Sequence, residues 1–156
     1  MHLRTVATMI AFPLACVLLG AASGIAASPG AWYAELNKPD WTPPGWVFGP
    51  VWTILYAIMG VSTWLVWRRR HEAAVVWPLT AFGVQLVLNL IWSPLFFGLQ
   101  RPDLAFFDIA VLLVAIVATI ALFARVSRPA AVLLTPYLAW VLFAAALNFT
   151  IWRMNA

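Results

Sequence analysis

The sequence predicts an all-α membrane protein: a bundle of five transmembrane helices with a Trp/Pro-rich lid loop between the first two. Three observations predict it. Hydrophobic residues make up 65% of the 156 residues and charged residues only 9%, against roughly half and a quarter in soluble domains. A soluble fold of this size has too much surface for its volume to hide that much apolar area, so the apolar surface must face lipid. Five runs are each long enough to cross a bilayer, which takes about 20 mainly apolar residues. The charges sit at the ends of those runs rather than within them.

The spans are expected at roughly 5–27, 45–67, 76–98, 104–124 and 129–151, forming one transmembrane domain over 1–156. The first contains Pro13 and the small residues Gly20, Ala21, Ala22, Ser23 and Gly24, which suit close helix packing in a membrane. A secretory signal is the other reading, since Arg4 precedes the run and small residues close it. The apolar stretch from Val6 to Ala27 is longer than a signal core of about 7–15 residues. Arg68 to Glu72 separates the second and third spans, Gln100 to Asp103 the third and fourth, and Arg125 to Pro129 the fourth and fifth. These short loops make consecutive helices antiparallel neighbours. No internal repeat divides the five helices into inverted halves, which weighs against repeat-based secondary transporters.

Five spans place the termini on opposite sides. The side of the N-terminus carries Arg4, Arg68, Arg69, Arg70, Arg125 and Arg128; the other carries Lys38, Arg101 and Arg153. Six against three puts the N-terminus in the cytoplasm by the positive-inside rule, and favours the inner membrane of a bacterium, the outer membrane being the alternative. The net charge of +4 does not indicate nucleic-acid binding, which needs basic residues gathered on one accessible face. Arg68-Arg69-Arg70-His71 reads instead as a helix anchor with some attraction to anionic headgroups. Cys16 is alone, so no intrachain disulfide forms, and it lies inside an apolar run. His2 and His71 lie apart from it, which leaves no catalytic triad or metal site in view.

The lid, residues 28–44, and the start of the second span hold the densest chemistry. The stretch AWYAELNKPDWTPPGWVFGPVW, residues 31–52, has four Trp, one Tyr and four Pro. Trp and Tyr suit the membrane interface because each joins an apolar ring to a polar N–H or O–H. The prolines Pro39, Pro43 and Pro44 fix φ and exclude one continuous helix, so a stiff, folded-back lid is expected. Thr42 before Pro43-Pro44 reads as a helix N-cap, and Pro50 is expected to kink the second span near Trp46.

Deeper in the membrane, Gln85 and Asn89 share a helix face with Trp92 and Phe96, and Asn148 lines up with Ala144, Trp140 and Tyr137. Amides in hydrocarbon are costly unless paired. They serve either interhelical hydrogen bonding or a ligand pocket; Trp140 either packs the core or stacks on a ligand; Ala144 either lets helices approach or leaves ligand space. Asp108 lies about one turn inside the fourth span, close enough to reach water or Arg101.

The segments WYAELNKPDWTPPGWVFGPVWTILY, NLIWSPLFFG and PYLAWVLFAAALNFTIWR closely resemble the tryptophan-rich sensory protein family, whose animal members are the mitochondrial translocator proteins or peripheral-type benzodiazepine receptors. The resemblance runs from about Trp32 to Arg153. It implies five transmembrane helices, often as a homodimer. It implies a pocket under the first loop for porphyrins such as protoporphyrin IX and heme, and for isoquinoline or benzodiazepine-type hydrophobic small molecules. Porphyrin is there a ligand, and no cofactor is required. Carried onto this chain, the ligand-binding residues are Tyr33, Pro43, Trp52, Asn89, Trp140 and Ala144, with Gln85, Trp92 and Leu147 as neighbours. The function implied is that of a tetrapyrrole sensor or transporter. One alternative is light-dependent porphyrin breakdown supported by Trp32 and its neighbours; another is a structural or interaction subunit, with Gly83 at a dimer contact. Lys38 or Asn89 is a candidate partner for a ligand carboxylate. Animal members also bind sterol through a Leu/Val–Tyr–Arg pattern, matched here by Leu147, Phe149 and Arg153, with Phe in place of Tyr.

Overall fold

A computed structural model describes residues 2–156. Its helices are α1 (His2–Ala26), α2 (Ala31–Glu35), α3 (Gly45–Trp67), α4 (Val76–Ser93), α5 (Pro102–Val126), α6 (Arg128–Leu133) and α7 (Thr135–Met154), with a π-helical turn over Pro94–Gly98. Five stretches are long and apolar enough to span a membrane: Leu3–Ala26, Gly45–Trp67, Val76–Gly98, Pro102–Val126 and Arg128–Met154. Large apolar side chains such as Leu14, Leu18, Val84, Val87, Val114 and Leu142 face outward, while Gln85, Asn89, Asn148, Ser62 and Thr119 are buried. That inside-out pattern is the one lipid demands, because amides and hydroxyls find partners only within the bundle. The chain is an integral, multi-pass membrane protein.

Small residues and prolines set the packing. Helices α1 and α3 lie against each other. A Cβ on Gly60 would run into the Pro13 backbone, and one on Gly20 would enter the Tyr56 ring. Their absence lets the two helices touch, as small residues do in membrane bundles. At the outer end, a Cβ on Gly24, Gly45 or Gly49 would meet nothing within 4 Å, so the bundle has open space there.

Each proline inside a span frees a carbonyl four residues back, and two of these are caught by hydroxyls. Pro94 frees Leu90 O, which accepts from Ser23 Oγ of α1 at 2.8 Å. Pro136 frees Val132 O, which accepts from Thr135 Oγ1 at 2.8 Å. In hydrocarbon such substitutes are what make a proline tolerable. After Pro94 the backbone closes a wider turn, Leu99 N to Pro94 O at 2.8 Å, which aims Phe96 and Phe97 toward the lid.

Several sequence expectations change. The fifth span is not one helix: it breaks at Leu134 into α6 and α7, where Pro136 cannot continue the ladder. Thr42 does not cap α3. The N-cap is Pro44, without a side-chain bond, and Thr42 Oγ1 donates back to Pro39 O at 2.7 Å, closing a turn within the lid. The lid also contains a helix, α2, which ends before Pro39.

The sidedness is consistent throughout. Arg69 Nη1 donates to Val126 O at 3.1 Å, joining the second and fourth loops at one end. Asn155 at the chain's end bonds Asn37 of the lid at the other.

Candidate functional site

A cavity of about 630 Å³ lies under the lid, walled by α1, α3, the outer part of α4, α5 and α7. Ligand pockets run to roughly 300–1,000 Å³. Its lining is mostly aromatic and aliphatic, and Lys38 is the sole charged side chain among the described lining residues.

The lid is built from local interactions. Lys38 folds back over α2, and its ammonium donates to the carbonyls of Tyr33 (2.6 Å), Leu36 (2.9 Å) and Ala34 (3.3 Å). A cation is favoured at a helix C-terminus, where carbonyls lack partners. The same ammonium lies 4.7 Å from the Tyr33 ring centroid. Burial pushes the Tyr33 phenol above its usual range, so it stays neutral. Lys38, read from sequence as a partner for a ligand carboxylate, is thus occupied with the lid's own carbonyls. Four ring contacts seat the lid: Trp32 on Phe96 (5.9 Å between centroids), Tyr33 on Phe96 (6.1 Å) and on Phe97 (5.3 Å), and Trp41 on Phe143 (5.8 Å).

Eight of the ten residues singled out from sequence line this one cavity: Tyr33, Pro43, Trp52, Asn89, Trp92, Trp140, Ala144 and Leu147. Two do not. Trp32 packs outside the wall in the apolar cluster around Phe96 and Leu147. Gln85, only 1% exposed, lies behind the wall at the end of a hydrogen-bond chain. The Trp140 indole N–H is buried without a partner among the described residues.

The amides do the interhelical work. Tyr56 O–H donates to Asn89 Oδ1, Asn89 Nδ2 donates to Tyr137 Oη at 3.1 Å, and Tyr137 O–H donates to Gln85 Oε1 at 2.8 Å. This chain ties α3, α4 and α7 together. A second tie runs from Trp92 Nε1 to Asn148 Oδ1 (2.9 Å) and from Asn148 Nδ2 to Pro102 O (2.8 Å). Hydrogen bonding between helices holds for all three amides; Asn89 and Asn148 also line the cavity, and Gln85 does not.

Sequence reasoning missed Tyr56, which lines the cavity beside Asn89. It lies one helical turn below Trp52, with ring centroids 5.6 Å apart, so four-residue spacing from Trp52 would have found it. Asp108 does not pair with Arg101, whose guanidinium is held by Asp103 at 2.8 and 2.6 Å; Asp108 Oδ2 is buried without a partner among the described residues. The sterol pattern does not form one surface, since Leu147 is buried and Phe149 is exposed. No group of three or more His, Cys, Asp or Glu that could hold a metal occurs among the described residues, and the side chain of His2 lies outside them.

Comparison with known proteins places these features in company. Residues 9–153 match the TspO/MBR family profile. The tryptophan-rich protein TspO of Chlorobaculum tepidum is 46% identical over 146 residues, covering 90% of each chain. The translocator protein of Homo sapiens is 46% identical over 127 residues, 80% of this chain and 75% of that one. The tryptophan-rich sensory protein of Cereibacter sphaeroides is 36% identical over 135 residues, 86% of this chain and 84% of that one.

Proposed function

The chain belongs to the TspO/MBR family, a membrane protein of the sensing or translocating kind, and from that premise we propose that it binds a tetrapyrrole, protoporphyrin IX or heme, in the cavity under its lid. The observation that carries the reading is the cavity itself: about 630 Å³, lined by Trp52, Trp92 and Trp140, and covered by a lid that presents Tyr33 and Pro43. Flat aromatic macrocycles stack on indole faces, each such contact adding about 0.5–1.5 kcal/mol beyond burial. Other hydrophobic molecules of isoquinoline or benzodiazepine type fit the same lining.

The same reading extends to topology and assembly. The N-terminus is cytoplasmic and the membrane a bacterial inner one, on the six-to-three distribution of Arg and Lys. Two copies pair through the outward face of α4, where Gly83 has open space beside exposed Val84 and Val87.

The test is a titration of detergent-solubilised protein with protoporphyrin IX, followed by Trp fluorescence in the dark. Saturable quenching is expected, weakened roughly 2- to 10-fold by Trp140→Ala and weakened also by Ala144→Phe, which narrows the cavity. Quenching that never saturates, or that both substitutions leave unweakened, refutes the reading. A spectral change that continues only under light would add porphyrin breakdown to binding.

A further inference from the structure

The chain Tyr56–Asn89–Tyr137–Gln85 runs in one direction. Each member donates to the next, and the last donor, Gln85 Nε2, has no partner among the described residues although Gln85 is 1% exposed. The other end of the chain is at the cavity, where Tyr56 and Asn89 both line the wall. In the polarity the structure records, the Tyr56 hydroxyl is spent on Asn89 and the spare donor is stranded deep in the bundle. Burying an unpaired donor disfavours a state by roughly tenfold or more.

The same heavy atoms admit the opposite polarity. A half-turn of each terminal amide exchanges its oxygen and nitrogen, and a hydroxyl can donate in one direction and accept from another. After reversal Gln85 Nε2 donates to Tyr137 Oη, Tyr137 O–H donates to Asn89 Oδ1, and Asn89 Nδ2 donates to Tyr56 Oη. All three bonds survive. One Gln85 N–H thereby gains a partner, its second N–H stays unpaired, and the Tyr56 O–H becomes a spare donor at the cavity wall.

We propose that Tyr56 is a ligand-binding and specificity-determining residue: ligands carrying a carbonyl or carboxylate acceptor take its hydroxyl proton as a hydrogen bond, and binding reverses the polarity of the chain through to Gln85. This deepens the ligand-site reading and rests on the cavity taking a ligand, though not on that ligand being a tetrapyrrole. The reversal also gives the site a readout. An acceptor bound at Tyr56 changes which atoms of Asn89, Tyr137 and Gln85 donate, and so touches α3, α4 and α7 together.

The experiment uses two probes of matched shape, benzophenone with one carbonyl and diphenylmethane with none, titrated into the full-length protein in detergent in the dark. The quantity read is the affinity ratio of the two. Tyr56→Phe keeps the ring but removes the donor, and is expected to lower the ratio about tenfold by weakening benzophenone alone. Gln85→Met removes the acceptor that Tyr137 O–H uses in the recorded polarity, which holds the chain in the reversed one. The ratio is then expected at or above that of the wild type, whereas a merely structural amide would lower it. In infrared spectra the bound carbonyl stretch should fall below its value in apolar solvent for the wild type and Gln85→Met. This reading decides the matter if Tyr56→Phe does not fold. A ratio unchanged by Tyr56→Phe, a ratio lowered by Gln85→Met, an unshifted carbonyl, or failure of both probes to bind overturns the proposal. Probe binding without porphyrin binding would refute the tetrapyrrole and leave Tyr56's role standing.

Discussion

Removing the Asn155 side chain should loosen the lid while leaving the bundle intact. The Asn155 amide pairs with the Asn37 backbone twice: Oδ1 accepts from Asn37 N at 3.0 Å, and Nδ2 donates to Asn37 O at 2.9 Å. Its third bond, Nδ2 to Ile151 O at 2.7 Å, only orients it on the end of α7. A net hydrogen bond contributes about 0.5–1.5 kcal/mol, and both cross-links are exposed, so Asn155→Ala should cost the closed lid about 1–2 kcal/mol. That raises the open population roughly 5- to 30-fold. The ring contacts of Trp32, Tyr33 and Trp41 remain, so the lid frays rather than departs. Amide hydrogen exchange is the assay. Protection should fall by that factor over residues 31–44 and stay unchanged in α5, which has no bond to Asn155. Unchanged lid exchange would show that the ring contacts alone seat it. Faster exchange throughout the bundle would show that Asn155 supports the fold rather than the lid. Either result refutes the latch.

Lys38→Met keeps the apolar stem but leaves the α2 carbonyls unpaired; lid amides should exchange faster, while any loss of porphyrin affinity should match that of Asn155→Ala rather than exceed it, as loss of a direct ion pair would. Gly60→Ala forces a Cβ into the Pro13 backbone, and overpacking of this kind typically costs about 1–3 kcal/mol, read as a lower thermal midpoint in detergent. Asn148→Leu strands the Trp92 N–H and removes the cross-link to Pro102 O, with an expected cost of about 1–3 kcal/mol in the same assay. A midpoint equal to that of the wild type would contradict either of these last two.

The fold was legible because lipid makes composition decisive. With so few charges, the breaks between spans stand out, and the second span was expected where Gly45–Trp67 is found. What stayed hidden depended on side chains catching freed backbone groups. Nothing local reveals that Ser23 of α1 serves the carbonyl Pro94 frees on α4, or that α7 begins afresh after Leu134. Thr42 shows the reverse error. A threonine before two prolines fits a cap by pattern, yet its hydroxyl is used within the lid turn. In the site, helix periodicity found the wall on α4 and α7, since spacing fixes which side chains share a face. It could not separate Asn89 in the wall from Gln85 behind it, because one turn along a helix changes depth without changing face. Lys38 escaped for a different reason: its partners are main-chain carbonyls, which carry no sequence signal.

The central claim, that a porphyrin occupies the cavity under the lid, is tested most directly by paramagnetic broadening of indole N–H resonances in the ¹⁵N-labelled protein. Hemin is the paramagnetic probe and zinc protoporphyrin its diamagnetic control. The account predicts that hemin broadens Trp52, Trp92 and Trp140, which line the cavity, and leaves sharp Trp67 and Trp77, at the opposite end of the bundle. Zinc protoporphyrin should broaden none of them. Broadening spread evenly over all indoles, or strongest at Trp67 and Trp77, would place the porphyrin in the detergent or on the outer surface and contradict the account.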